Sequence, residues 1–138
     1  LFIYDPSGNL KGENTNLFQH IDISPSILAL VSSKNSNEII SFGNNAFNNS
    51  DKFTVQYVNG TYQITTKDFF LISDGEKTTE FYNLSNDTLL QNNYALQQLN
   101  AQDEQEKKKL ENKLKGIIQQ YNNRLINNQL STLTQQSN

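Results

Sequence analysis

The residues that could carry acid–base chemistry in this sequence are His20 and Asp22. His20 is the only histidine among 138 residues, and Asp22 follows two positions later. In a strand these two side chains would share one face, where the carboxylate could orient the imidazole as a base. No nucleophile is indicated by its spacing from the pair. We therefore interpret His20 as a surface histidine and predict no catalytic residue.

Two groups of polar residues have the composition of metal sites. Asp5, Ser7 and Asn9 have the alternating spacing that begins a calcium loop. The next requirements of such a loop are a glycine and then a glutamate, and Leu10 and Asn16 occupy those positions. We therefore expect a plain turn here.

The second group is an acidic cluster, for which we expect a solvated loop; its members are Asp74, Glu76 and Glu80. The six glycines are scattered singly, so no phosphate-binding or dinucleotide-binding pattern is present. The sequence predicts no metal site and no cofactor.

The composition narrows the class of protein. The chain has no Cys, Met or Trp, which excludes a disulfide framework, a thiolate zinc site and a cysteine nucleophile. Side-chain amides are abundant, with 21 Asn and 13 Gln, but aromatic and aliphatic residues recur in strand-like groups that predict a folded domain. The net charge of −3 argues against a dedicated nucleic-acid binder. No apolar run approaches the roughly 20 residues of a membrane span.

The positive charge is concentrated late in the chain. The last 38 residues hold six basic and four acidic side chains, a balance of +2, whereas residues 1–100 hold five and ten, a balance of −5. The run Lys107–Lys109 continues with Lys113, Lys115 and Arg124. We interpret it as a solvated helix face; contact with an acidic partner or with headgroups is the alternative.

The first third of the chain is predicted to form short strands and one short helix. Residues 1–4 and 17–23 have the pattern of strands, and a turn at 5–9 closes the first. Ser24 followed by Pro25 is typical of a helix start, so we predict a short helix to about residue 33. Residues 39–42 predict another strand.

The clearest local signal is a β-hairpin. Residues 53–58 and 61–66 alternate in polarity on either side of Asn59-Gly60, a pair that favours a type I′ turn. A two-residue loop places Val58 opposite Thr61 and Val55 opposite Ile64. Phe53, Val55, Tyr57, Tyr62 and Ile64 then share the face that covers a core.

Two further strands complete a meander. Residues 69–73 have the pattern of an apolar central strand. A turn at Asp74-Gly75 follows, and residues 80–84 are predicted to form the next antiparallel strand. With residues 39–42, this gives about five antiparallel strands. The predicted fold class is α+β, with a β-rich head domain at 1–86 and a helical segment at 87–138.

A long helix is predicted after the head. Thr88 and Gln91 match a capping box, so the helix should run from about residue 88 to 134. Near its start, Leu89, Tyr94, Ala95, Leu96 and Leu99 could pack on the sheet. Residues 100–109 are almost wholly polar, and an apolar stripe then follows at Leu110, Leu114, Ile117, Tyr121 and Leu125, with Ile118 beside it.

The apolar stripe suggests that the helix binds a partner. A helix of this length exceeds the width of the head, so it either folds back near residues 100–109 or projects as a coiled-coil stalk. We favour projection, because no helix-breaking residue lies in that segment. The five stripe residues, Leu110 to Leu125, would then bind a protein partner or a second copy of the chain.

These features predict a non-enzymatic structural or interaction module of a larger assembly, such as a surface appendage, phage particle or secretion apparatus. The absence of Cys favours a location outside the cytoplasm. A sequence that begins at Leu1 is expected to be processed, trimmed or part of a longer protein. The alternative is a secreted or surface domain that binds a glycan or peptide through Tyr57, Tyr62 and Tyr82, and an enzyme is the third hypothesis.

Overall fold

A computed structural model of the chain describes residues 2–31, 42–48 and 52–130. Its elements follow the order of a short 3-10 helix, helix α1, four strands and a long helix α2. The 3-10 helix spans His20–Asp22, and α1 spans Ile23–Leu30. The strands are β1 (Phe53–Val58), β2 (Thr61–Thr66), β3 (Phe69–Ser73) and β4 (Thr78–Asn83), and α2 spans Ala101–Ile126. The predicted α+β class is confirmed.

The sheet is a four-stranded antiparallel meander in the order β1-β2-β3-β4. The predicted hairpin is confirmed residue for residue: Val58 pairs with Thr61 and Val55 pairs with Ile64. Asn59 and Gly60 both have positive φ, at 51° and 81°, as a type I′ turn requires. β3 is an inner strand, as predicted. Residues 39–41 of the predicted additional strand lie outside the described residues.

One face of the sheet packs against α2. Ile64, Leu71 and Phe81 are 0–1 % exposed and form the core with Leu110 and Leu114 of the helix. The first two are cross-strand partners, and Leu71 is also the partner of Phe81. Side chains alternate between the two faces along a strand. These three paired residues therefore identify which face of β2, β3 and β4 points towards the core.

The beginning of the chain differs from its prediction. Residues 2–4 form no strand, and Phe2 and Tyr4 are 90 % and 80 % exposed. Residues 17–23 form no strand either, because helical structure already begins at His20. The Asp22 carboxylate explains the earlier start: it accepts from the backbone N–H of Gln19 at 2.9 Å and from that of Asn44 at 2.7 Å.

The long helix starts 13 residues later than predicted. Asp87, one residue before the expected cap, accepts from the backbone N–H groups of Gln91 and Asn92, and Leu90 has a φ of 55°. These contacts form a turn at residues 87–92, where a helix was expected. Asn100 is the true N-cap, since its Oδ1 accepts from the Asp103 N–H at 2.8 Å.

The edges of the sheet are covered by side-chain amides. On β4, the Asn93 Oδ1 accepts from the Phe81 N–H and the Asn93 Nδ2 donates to the Thr79 carbonyl, both at 3.1 Å. On β1, the Gln19 Oε1 accepts from the Val55 N–H at 3.0 Å. An uncovered edge strand can pair with a strand of another chain. These amides therefore protect both edges of the sheet.

Candidate functional surfaces

The first part of the predicted partner-binding stripe is occupied by the chain's own sheet. Leu110 and Leu114 are 3 % and 2 % exposed and belong to the core cluster. The expectation that the sheet leaves the stripe uncovered is wrong for these two residues. The physical reason is the late start of α2: the polar residues from 101 to 109 are its opening turns, so they do not act as a spacer leading away from the head.

The rest of the stripe is largely exposed. Ile118, rather than Ile117, packs against the core cluster, and Ile117 is half-buried. Tyr121, Leu125 and Ile126 are 47 %, 52 % and 81 % exposed. We call Ile117, Tyr121, Leu125 and Ile126 the distal stripe. That Ile117, Tyr121 and Leu125 contact a partner remains a prediction.

Phe42 contacts the distal stripe from outside the helix. Its ring lies edge-on to that of Tyr121 with centroids 5.8 Å apart, and the Arg124 guanidinium lies 5.8 Å from the Phe42 centroid. The next residue, Gly43, is pressed against the 3-10 helix: a Cβ built on it would lie 2.0 Å from the Ile21 carbonyl oxygen. Residues 42 and 43 therefore connect the end of α2 with the start of the chain's first helical region.

A second exposed apolar surface lies in that first helical region. Its members are Ile21, Ile27, Leu30 and Val31, which are 39–65 % exposed. Ser26 anchors the other side of α1, because its buried hydroxyl donates to the Asp22 carbonyl and accepts from the Ala46 N–H. The helix is thus fixed in place by polar contacts while much apolar surface faces outward.

The geometry gives no support to acid–base chemistry at His20. Its side chain is exposed. Both carboxylate oxygens of Asp22 are hydrogen-bonded to backbone N–H groups, one to Gln19 and the other to Asn44. The carboxylate therefore has a structural partner on each oxygen, and its role is to hold the loop at residue 44 against the 3-10 helix.

The first metal-like group and the start of the second form turns, whereas Glu80 of the second group lies in β4 and not in the expected solvated loop. Asp5 accepts from the backbone N–H groups of Ser7, Asn9 and Leu10 and from the Ser7 hydroxyl. The Ser7 hydroxyl and these N–H groups lower the pKa of Asp5 to about 2. Asp74 accepts from the N–H groups of Glu76 and Lys77, which lower its pKa in the same way. Within the described ranges, no cluster of three or more acidic or histidine side chains could hold a metal ion.

The three tyrosines proposed as a ligand groove do not come together. Tyr57 and Tyr62 are cross-strand partners on the inner side, with ring centroids 4.7 Å apart. Tyr82 follows the core residue Phe81, so it lies on the opposite face of the sheet. It is 7 % exposed and stacks with Phe70. Its hydroxyl donates to Glu80 at 2.5 Å, and this bond, together with burial and the nearby negative charge, raises the pKa of Tyr82 to about 12.

Three basic residues of α2 contribute to the head, one by attaching the helix and two by lining a cleft. The Lys107 Nζ donates to the Ala95 carbonyl at 2.9 Å and so attaches the helix to the preceding loop. Lys109 and Lys113 line a cleft of about 790 Å³. Lys52 and Lys67 line it as well, from the loop before β1 and from the β2–β3 turn. We call this the lysine cleft.

The lysine cleft is not predicted by the sequence. The run at 107–109 is visible in the sequence, but Lys52 and Lys67 are isolated and at least 40 residues away from it. Only the packing of α2 on the sheet brings the four residues to one cavity. No local signal marks such a site.

Comparisons with protein families, with curated proteins and with solved structures gave no match to this chain. Among residues 2–31, 42–48 and 52–130, none of the helices combines the length and the apolar character that a membrane span requires. The function is therefore inferred from the chain's own residues.

Proposed function

We propose that this chain is a non-enzymatic structural module that assembles through the distal stripe of α2, with a second copy of itself as the partner. The observation that carries the proposal is a change of environment along one helix. The apolar stripe is 2–3 % exposed at Leu110 and Leu114 and about half exposed at Tyr121 and Leu125. The sheet covers its beginning and leaves its end in water.

The dimensions of the elements support this reading. α2 has 26 residues, which corresponds to about 39 Å at 1.5 Å per residue. The longest strands have six residues, which corresponds to about 20 Å. A helix about twice as long as the strands has more apolar stripe than the sheet can cover.

The adjacent apolar surface on α1 extends the area that a partner could bury. A stable interface buries about 800 Å² on each partner, which is more than two turns of one helix provide. The exposed residues Ile27 and Leu30 of α1, with Val31 at its C-terminal end, add to the distal stripe. Phe42 contacts the stripe, and Gly43 lies against the backbone of the first helical region. Exposed apolar side chains in such number are of the kind that mark interaction sites.

The remaining parts of the proposal rest on simpler observations. The engagement of both Asp22 oxygens by backbone N–H groups supports a structural role for the carboxylate that could have oriented His20. We also propose that the assembly lies outside the cytoplasm, because a sequence without a single Cys suits an oxidising compartment.

The test is the association state of the chain and of a double variant, Leu125→Gln with Ile126→Gln. Both side chains are exposed, and glutamine is a good helix former, so the variant should fold normally. Sedimentation velocity over a range of concentrations should show a concentration-dependent oligomer for the original chain and a monomer for the variant.

A matched control changes exposed polar residues of the same helical segment, in the double variant Gln119→Ala with Asn122→Ala. It should associate like the original chain. A monomer at all concentrations for the original chain would contradict self-association, and equal association of both double variants would show that the distal stripe is not the contact.

A second candidate function is binding of a glycan or peptide by the head. The tyrosines do not favour it, since Tyr82 lies on the other face from Tyr57 and Tyr62. The lysine cleft does, because it brings lysine, amide and hydroxyl side chains together on the part of α2 that the sheet already holds in place.

A further inference from the structure

The lysine cleft lies where four parts of the fold meet. The loop before the 3-10 helix contributes Thr15 and Asn16, the loop before β1 contributes Lys52, the β2–β3 turn contributes Lys67, and α2 contributes Lys109 and Leu110. Its volume of about 790 Å³ is within the range of small-ligand sites, about 300–1,000 Å³. Since Leu110 belongs to the core, the base of the cleft is part of the rigid interior of the head.

The charge of the cleft is opposite to that of the whole chain. Among the described residues that line it, four lysines accompany two carboxylates, Asp68 and Glu106, a balance of +2 in a protein of net charge −3. Glu106 forms an ion pair with Lys109, with 3.4 Å between Oε2 and Nζ. Asp68 accepts from the Ser85 hydroxyl at 3.2 Å. The described part of the lining thus carries more positive than negative charge, which favours an anion.

Lys52 is held in position by neutral oxygen atoms. Its Nζ donates to the carbonyl of Asn45 and to Oδ1 of Asn48. An ammonium group has three N–H donors, so one more is available after these two bonds. Because amide oxygens carry no net charge, they orient this lysine without cancelling its positive charge.

Lys113 is also positioned at the cleft. Its Nζ lies 3.7 Å from the centroid of the Phe53 ring, a cation–π geometry. The ring belongs to β1 and packs against the core cluster, so the location of this cation is set by the sheet. Two of the four lysines are thus fixed by the fold, which reduces the entropy lost when a ligand binds.

The neutral lining residues indicate what kind of anion the cleft suits. Hydroxyl and amide side chains line the cleft beside the lysines, at Thr15, Asn16 and Gln102, and the Phe69 ring provides an apolar surface. Hydroxyl and amide groups both donate and accept hydrogen bonds, as the hydroxyls of a sugar require. A bare inorganic anion would use the lysines and leave these groups without a role.

We propose that the lysine cleft binds an acidic carbohydrate, a short oligosaccharide whose carboxylate or sulfate groups meet Lys52 and Lys67 while its hydroxyls meet the amide and hydroxyl side chains. The site lies on residues 102–113 of α2, before the distal stripe, so it is independent of the proposed assembly. Carboxylated and sulfated sugars share this chemistry, and the probes of the test separate them.

The test is calorimetric titration of the full chain with four probes: a uronic-acid tetrasaccharide, a sulfated tetrasaccharide, a neutral tetrasaccharide and inorganic phosphate. We expect one or both acidic sugars to bind and the neutral sugar to bind at least tenfold more weakly. A charge-assisted hydrogen bond contributes about 1.5–3 kcal/mol, so Lys52→Gln and Lys67→Gln should each weaken the acidic sugar about tenfold or more.

The matched control is Lys108→Gln, which removes the same charge from an exposed residue of α2 that does not line the cleft. It should leave the affinity within about twofold. An equal loss in this control would show a general charge effect and overturn the site. Absence of binding by both acidic sugars would overturn the proposal, as would phosphate binding as tightly as they do. Sedimentation of the same samples reports on assembly separately.

Discussion

The side chain of Asn93 forms a hydrogen bond to the backbone of Phe81 that an additional strand would otherwise make. Its Oδ1 accepts from the Phe81 N–H at 3.1 Å, and the Tyr94 N–H then donates to the Phe81 carbonyl at 2.8 Å. Its Nδ2 reaches the Thr79 carbonyl on the same edge. One amide therefore stands in for a short stretch of neighbouring backbone.

Replacing Asn93 by alanine should destabilise the protein by about 1–3 kcal/mol, because it leaves backbone groups of an edge strand without partners. The measurement is urea unfolding followed by circular dichroism. The control is Gln98→Ala, an exposed amide of the same loop, for which a change below about 0.5 kcal/mol is expected. Equal effects of the two variants would mean that the Asn93 contacts contribute nothing measurable.

Two glycines allow a paired prediction of opposite sign. A Cβ on Gly43 would lie 2.0 Å from the Ile21 carbonyl oxygen, whereas a Cβ on Gly116 meets nothing within 4 Å. Gly43→Ala should therefore cost about 1–3 kcal/mol through forced displacement of the backbone. Gly116→Ala should stabilise the protein by about 1 kcal/mol, because it removes a glycine from a helix interior.

Thermal unfolding of both glycine variants is the measurement. The midpoint should fall for Gly43→Ala and rise for Gly116→Ala. An unchanged midpoint for Gly43→Ala would contradict the close approach of residues 21 and 43.

The Asp87 turn predicts a dependence of stability on pH. The backbone N–H groups of Gln91 and Asn92 lower the pKa of Asp87 below its ordinary value of 3.8. Because the folded pKa is the lower one, the stabilisation is fully present above about pH 4 and is lost as the pH falls through the folded pKa. The carboxyl carbon shift of Asp87, followed by NMR during acid titration, should have a midpoint below 3.8.

The variant Asp87→Asn should lower the urea midpoint at pH 7, and its difference from the original chain should shrink as the pH falls below 4. Glu13→Gln, an exposed carboxylate of a loop, serves as the control for the loss of one negative charge. A difference that stays constant with pH would show that the turn does not depend on the ionised carboxylate.

Leu114 and Leu125 test the two environments of α2. Leu114→Ala should cost about 2–5 kcal/mol, as buried leucines do, because its side chain is 2 % exposed in the core. Leu125→Ala, at a residue that is 52 % exposed, should change the unfolding free energy of the monomer by less than about 0.5 kcal/mol. Urea unfolding at low protein concentration gives both values, and similar losses would place Leu125 in the core.

The parts of the fold that could be predicted are those that neighbouring residues determine. The hairpin around Asn59-Gly60 follows from the turn type and from alternation, so its register was predictable. The start of α2 was not, because Thr88 and Gln91 satisfy a local capping rule while Asp87 binds the same backbone. Asn100, whose side chain caps the helix through the Asp103 N–H, does not fit that capping rule, so the rule does not identify it.

Contacts over long distances in the sequence account for the other differences. Asp22 bonds to Asn44, 22 residues away, and Gln19 bonds to Val55, 36 residues away. These contacts favour helical turns at residues 20–30, where the local pattern at 17–23 suggested a strand. The burial of Leu110 and the gathering of four lysines depend in the same way on where α2 crosses the sheet.

The contrast between the two glycines has an evolutionary consequence. Residue 43 has no room for any side chain beside the Ile21 carbonyl, whereas residue 116 faces open space. We therefore expect selection to retain glycine at residue 43 in divergent descendants of this sequence. At residue 116 we expect other amino acids to replace it.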